Sequence, residues 1–212
     1  MKYILFFVLF STFIATAQVS KKGFLNIQKI GFLYNNANDK NFIFDDEDYT
    51  YVTNTYKLQA FYSLGAWKSF DFELIVQPQY QVLKHQLYNG FFVLPEEENF
   101  EEKISEFTRP KTMHLYALEL GFVIKKTLFK KLDFLATVGL GLATIDTRTE
   151  RLAKGFTFIE NGSLGFSYNF APKAFLYVGS NVGHVSNLDT QKPNNGYSFI
   201  GFEIGLSYLI KQ

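Results

Sequence analysis

The sequence has no cysteine among its 212 residues, which excludes disulfides and thiolate metal sites. It also lacks a dominant charge: 21 Lys and Arg offset 20 Asp and Glu. No bulk field draws the chain to nucleic acid, and no nucleic-acid partner is expected. Long apolar runs are missing too. After residue 17 no stretch approaches the roughly 20 apolar residues that a membrane-spanning helix needs. The first residues read differently. Lys2 supplies a short positive region, residues 4–14 are almost wholly apolar, and Ala15-Thr16-Ala17 places small residues at a cleavage site. That is the pattern of a secretory signal peptide over residues 1–17, with a mature single domain from Gln18 to residue 212.

Aromatic side chains, by contrast, are abundant. Phe occurs 25 times and Tyr 13 times, yet the mean hydropathy is near zero at −0.02. A soluble core rarely needs so many rings, whereas a membrane β-barrel carries them on its lipid face and in its interfacial girdles. From residue 23 the chain reads as eight apolar-aromatic runs: 23–35, 51–64, 69–83, 113–126, 131–145, 156–170, 173–187 and 197–210. Each is about as long as a tilted membrane strand requires. Connections after the second, fourth and sixth runs are short, around Gly65-Ala66-Trp67, residues 127–130 and Ala171-Pro172. The others are long, which is the asymmetry of an outer-membrane barrel.

Alternation separates a membrane barrel from a soluble one. In the third run Phe70, Phe72, Leu74 and Val76 share a face, opposite Asp71, Glu73, Gln77 and Gln79. In the eighth, Ile200, Phe202, Ile204 and Leu206 oppose Gly201, Glu203, Gly205 and Ser207. One face is continuously apolar. The other is Gly-rich and carries Lys57, Asp71, Glu73, Glu119, Asp133 and Glu203. A lipocalin-like carrier, the soluble alternative with eight strands, would need the reverse: an apolar interior and a wet exterior. The sequence therefore predicts an all-β, eight-stranded antiparallel transmembrane β-barrel in a bacterial outer membrane, with outer-membrane lipid as its surroundings. The first strand is ambiguous, because Lys29 interrupts one face and Asn26 and Gln28 the other. Pro78 should break the third strand's ladder at a bulge.

The loops say less. Asp45-Asp46-Glu47-Asp48 lacks the ligand spacing of a calcium loop and reads as a solvated turn. Residues 95–107 place Phe100, Ile104 and Phe107 at helical spacing, as in a short amphipathic helix on the barrel rim. Arg148, Arg151 and Lys154 read as candidate contacts for lipid phosphates.

The segment joining the last two runs is His184-Val185-Ser186-Asn187-Leu188-Asp189-Thr190-Gln191-Lys192-Pro193-Asn194-Asn195-Gly196. His184 and Ser186 are two apart on a strand, so both leave its lipid face with Val178 and Val182. Polar groups are costly there unless used or wet. An imidazole beside a hydroxyl can serve as general base for a serine nucleophile.

At these residues the chain resembles the PagL-type lipid A 3-O-deacylases, eight-stranded outer-membrane barrels with a serine-hydrolase site facing lipid. Their pattern is His-x-Ser-Asn, five residues, then Pro-Asn-x-Gly between the last two strands. It is met by His184, Ser186, Asn187, Pro193, Asn194 and Gly196. The resemblance implies Ser186 as nucleophile, His184 as general base and Asn194 as a donor toward the oxyanion, with Asn187 in a supporting position. It implies lipopolysaccharide as substrate, no metal or organic cofactor, and leaves a homodimer open. One position departs. The family's acid lies two residues after the motif glycine, where this chain has Ser198. A hydroxyl can hold an imidazole but stabilises an imidazolium far less than a carboxylate does. This keeps a second reading alive, a silent family member that binds lipopolysaccharide or serves as a structural barrel. Glu203 has lumen parity and cannot substitute, and nothing fixes the direction of Asp189. Counting back from a turn at Ala171-Pro172 pairs His184 with about residue 158. Glu160 then lies diagonally across from His184 on the outward face, the candidate acid.

Overall fold

The structure is a computed structural model that describes residues 26–41, 48–90 and 93–210. Residues 1–17, expected to be a signal peptide, and residues 42–47 of the acidic loop lie outside the described residues. Eight antiparallel strands follow the alternation in the sequence: β1 (Lys29–Asn38), β2 (Tyr49–Trp67), β3 (Phe70–Leu87), β4 (Lys111–Phe129), β5 (Leu132–Ile145), β6 (Gly155–Ala171), β7 (Ala174–Ser186) and β8 (Tyr197–Leu209). Each pairs with its sequence neighbour, and β1 pairs with β8, so the ring is closed. Closure leaves no unpaired edge, which a sheet in lipid must avoid.

At one end, two-residue turns join the strands, with the last rungs at Trp67↔Phe70, Phe129↔Leu132 and Ala171↔Ala174. The turns are Lys68-Ser69, Lys130-Lys131 and Pro172-Lys173, two or three residues beyond the first expected position and one beyond the last. Gly65-Ala66-Trp67 belongs to β2 instead. A register shift sits beside every one of these turns, at Ser63/Gly65, Thr127/Phe129 and Asn169/Ala171. A bulge adds local twist, and Gly65 takes the left-handed φ of 112° that one of them requires. Pro78, expected at a bulge, sits in an unshifted register between Lys57↔Gln79 and Ala60↔Val76, with Leu118 as its β4 partner. The missing N–H removes rungs toward β2 without displacing the strand. β1 begins at Lys29 rather than residue 23, and Lys29 points into the lumen, bonded to Glu73 at 3.3 Å.

The outer face is apolar all round. Leu58, Leu118, Val138, Leu140, Leu142, Leu164, Phe202 and Leu206 are each more than half exposed. A continuous belt of this kind is untenable in water and is what a hydrocarbon layer covers. The lumen is polar and full. Glu119 accepts hydrogen bonds from Lys57 Nζ (3.0 Å), Gln77 Nε2 (2.8 Å) and Asn161 Nδ2 (2.7 Å). Glu203 accepts one from the Tyr177 hydroxyl at 3.2 Å. The cavity among these side chains is about 40 Å³, room for a few waters at most. A carrier's ligand has no place there. Gly139 makes the crowding possible, since a Cβ at that position would collide with the Glu119 carboxyl.

Removing a partner from this cluster should be costly. Glu119→Ala strands the Lys57 ammonium, whose side chain is only 5% exposed, and is expected to destabilise the barrel by about 3–5 kcal/mol. Urea unfolding in detergent, followed by heat-modifiable gel mobility, measures it.

Toward the long-loop end the lumen turns apolar. Leu83, Leu87, Met113, Leu115, Leu152, Ile159, Val185 and Phe199 form the core that closes the mouth. Helix α1 (Phe100–Phe107) starts later than residue 95 and lays Phe100, Ile104 and buried Phe107 on that core. Its apolar stripe thus packs across the opening.

Candidate active site

His184 lies near the outer end of β7, between Glu160 of β6 and Ser198 of β8 in direct register. Its row continues to Leu140 on β5, one of the exposed lipid-facing leucines. The inward neighbours confirm the parity: Gly183 faces Phe199 and Asn161 in the interior, and Val185 is fully buried. His184, Ser186 and Ser198 therefore belong to the outward face, and Glu119 and Glu203 to the lumen, as the alternation predicts.

The diagonal expected between Glu160 and His184 is corrected to a direct pairing. The turn lies one residue further along, at Pro172-Lys173, and the bulge at Asn169/Ala171 shifts the count again. Directly opposed residues on one face have Cβ atoms about 4.5–5.5 Å apart. Glu160 is exposed on that face, and among the described residues it has no hydrogen-bonded or ion-paired partner.

The imidazole is held by its other neighbour. His184 Nδ1 and Ser198 Oγ are 2.8 Å apart. On its far side the ring meets Gly196, where a Cβ would lie 3.0 Å from both Cε1 and Nε2. Continuing the β7–β8 register two residues outward from His184↔Ser198, past Val185↔Tyr197, puts Ser186 opposite Gly196. The free edge of the ring, Nε2, is thus turned toward the rung that carries Ser186. No hydrogen bond holds the Ser186 hydroxyl among the described residues. Its carbonyl accepts a bond of 2.7 Å from Thr157 Oγ1, which pins the end of β7 to β6.

The β7–β8 loop is organised by its own asparagines. The Asn187 N–H donates to Asn194 Oδ1 at 2.8 Å, and Asn187 Nδ2 donates to the Gln191 carbonyl at 2.9 Å. Asn187 is 1% exposed. Asp189 lies in the exposed part of the loop, where bonds from Lys192 and Asn194 hold its carboxyl below the usual range. It faces these loop partners rather than the imidazole. Asn194 therefore closes the loop with its oxygen and has one amide hydrogen left for other work.

The other two histidines are occupied elsewhere. His114 is stacked on Tyr80 and bonded to its hydroxyl at 2.7 Å. His85 is buried in the mouth beside Glu150. Only His184 combines an outward position with a serine two residues along on the same face. The contacts from Thr157, from Gly196 and from the β5–β6 loop, whose Arg151 carbonyl accepts from Asn195 N and Gly196 N, are missed by sequence reasoning, because they cross between strands and loops whose register the sequence does not state.

Comparison with known proteins gives the family and the fold. The profile of the family described as "Lipid A 3-O-deacylase (PagL)" matches residues 49–207, well over half of the chain. The chain belongs to the PagL lipid A 3-O-deacylase family. Among solved structures it is similar to that of the outer membrane enzyme PagL, with a TM-score of 0.56 and 13% identity. That match covers 86% of this chain and 99% of the other. Neisserial surface protein A also matches at 13% identity, with a TM-score of 0.47, over 86% of this chain and 95% of that one. No curated protein matches the chain. Like PagL, the chain is an outer-membrane β-barrel, and the residues that carry the sequence resemblance lie in the β7–β8 hairpin described above.

Gly196 is the motif residue with the tightest requirement. It has φ 62°, and a Cβ would collide with the Val185 carbonyl oxygen. Gly196→Ala should therefore cost about 1–3 kcal/mol of local stability and push the chain away from the His184 ring. Faster amide exchange at residues 195–197, in a barrel that still shows heat-modifiable mobility, is the expected signature.

Proposed function

We propose that this chain is a serine esterase that removes an ester-linked acyl chain from lipid A within the outer membrane. The observation that carries the reading is the outward His184, whose Nδ1 is held by Ser198 while Nε2 faces the rung of Ser186. With the proton of the neutral ring on Nδ1 and directed at the Ser198 hydroxyl, the Nε2 lone pair is free to take the Ser186 proton. Ser186 Oγ then attacks the ester carbonyl carbon, and the remaining amide hydrogen of Asn194 supports the charge that develops on the carbonyl oxygen. Collapse expels the sugar alkoxide, which takes the proton back from His184, and leaves an acyl-serine. Water, deprotonated by the same ring, releases the fatty acid and restores Ser186. A substrate already lying in the bilayer reaches this face sideways, along the apolar surface below His184.

Glu160 supplies the negative charge in this reading. From directly across β6 it stabilises the imidazolium that Ser198, being neutral, cannot. The replacement at position 198 is also the observation that favours a second reading, a silent barrel that only binds lipopolysaccharide. Mass spectrometry of lipid A decides between them. Cells producing the protein should show lipid A lighter by one acyl chain than cells without it, and unchanged lipid A would select the silent barrel.

A further inference from the structure

The β5–β6 connection does not extend into solvent. Thr149, Glu150, Leu152 and Ala153 are all buried. Thr149 Oγ1 accepts from the N–H groups of Arg151 (3.2 Å) and Leu152 (2.9 Å), which bends the loop tightly. Leu152 then enters the core that closes the barrel mouth. Arg151, expected to face lipid phosphates, instead lays its guanidinium 4.3 Å over the Tyr49 ring.

The backbone of this loop carries the site. The Arg151 carbonyl accepts two hydrogen bonds, from Asn195 N (2.8 Å) and Gly196 N (3.1 Å). Ala153 N donates to the Pro193 carbonyl at 2.9 Å, and Leu152 bridges Asn194. The Pro193-Asn194-Asn195-Gly196 segment is therefore paired to the β5–β6 loop as a short antiparallel strap. Gly196 lies beside the His184 ring, where a Cβ would come within 3.0 Å of it, and Asn194 caps the residue after Ser186.

The strap has a charged anchor at its root. The Glu150 side chain has no solvent exposure, and its carboxylate lies 3.5 Å from His85 Nδ1 on β3 and 3.6 Å from Lys111 Nζ on β4. Burial pushes this carboxyl upward, but His85 and Lys111 overrule it and hold it below the usual range. An apolar side chain would fill the same space at less cost, because burying ions is expensive even when they are paired. What an apolar contact cannot do is fix direction. A carboxylate held between His85 and Lys111 on two adjacent strands fixes the middle of the β5–β6 loop, and so the register of the strap against residues 193–196.

We propose that Glu150 is a positioning residue for the His184–Ser186 pair, acting through the Arg151 carbonyl on Asn195 and Gly196. Its effect on turnover rests on the esterase reading above, whereas its effect on the strap does not. The test uses the full-length barrel in detergent micelles and two variants, Glu150→Gln and His85→Gln, each checked for folding by heat-modifiable mobility. Expected for both are faster amide exchange at Asn195 and Gly196 and a shifted ring-nitrogen resonance of His184. With lipopolysaccharide as substrate, kcat should fall roughly 10- to 100-fold, the scale of a misplaced catalytic group, while KM stays unchanged. The double variant should lose no more than the single Glu150→Gln, because both act through one contact. A folded Glu150→Gln barrel with wild-type exchange at 195 and 196 and an unmoved His184 resonance would overturn the proposal, even if its melting temperature dropped. If the wild-type barrel releases no acyl chain, the esterase reading fails, and exchange and resonance alone judge Glu150.

Discussion

Ser186→Ala is expected to abolish release of fatty acid from lipopolysaccharide. Loss of the attacking atom in a nucleophile–base pair costs on the order of 10⁴-fold or more, since the remaining groups cannot form an acyl intermediate. The barrel itself should be untouched. Ser186 ends β7, its hydroxyl holds no other residue among the described ones, and the bond from Thr157 reaches its carbonyl rather than its side chain. Heat-modifiable mobility and lipid A composition, measured on the same cells, make the comparison. A folded variant with wild-type turnover would exclude Ser186 as nucleophile and, with it, the covalent route.

Glu160→Gln carries the second large expected effect. Glu160 is the exposed carboxylate directly opposite His184. The opposite strand offers only the Ser198 hydroxyl, at 2.8 Å. Charge at about 5 Å, partly screened, is worth one to a few kcal/mol to an imidazolium. The variant should therefore lose about 10- to 100-fold in kcat. Ser198→Glu introduced into that background should recover part of the loss, because it places a carboxylate on the nitrogen that Ser198 now holds. Full activity in Glu160→Gln would remove Glu160 from the mechanism and leave Ser186 and His184 working without a carboxylate. Loss without rescue would mean that Glu160 acts on something other than the charge of the ring.

Much of this architecture is legible in the residues because side-chain alternation is a local property. Phe202, Ile204 and Leu206 against Gly201, Glu203 and Gly205 state which way β8 faces without reference to any other strand. The same parity places His184 and Ser198 outward, and the motif spacing places Pro193, Asn194 and Gly196 in one loop. Lys29 was ambiguous for the complementary reason. Its role in the lumen depends on Glu73, 44 residues away, and no local pattern announces such a partner.

Register was the less legible quantity. Two-residue turns and the bulges beside them decide which residues oppose each other, and a bulge leaves no dependable mark in the sequence. An error of about two residues moved Glu160 from opposite His184 to a diagonal. Pro78 shows the reverse case, a residue whose sequence signal for a bulge is overruled because neighbouring rungs on both sides hold the strand straight.

By itself the sequence determined the strand count, the lipid-facing and lumen-facing sets, and the His184-x-Ser186-Asn187 and Pro193-Asn194-x-Gly196 hairpin. Those follow from period-two alternation and from spacing along a single segment. Only the tertiary structure decided that Glu160 stands opposite His184, that Ser198 holds Nδ1, and that Glu150 anchors the strap carrying Gly196. Each of these joins residues on different strands or loops, and their meeting is set by ring closure, bulges and packing in the barrel mouth, none of which a single segment encodes.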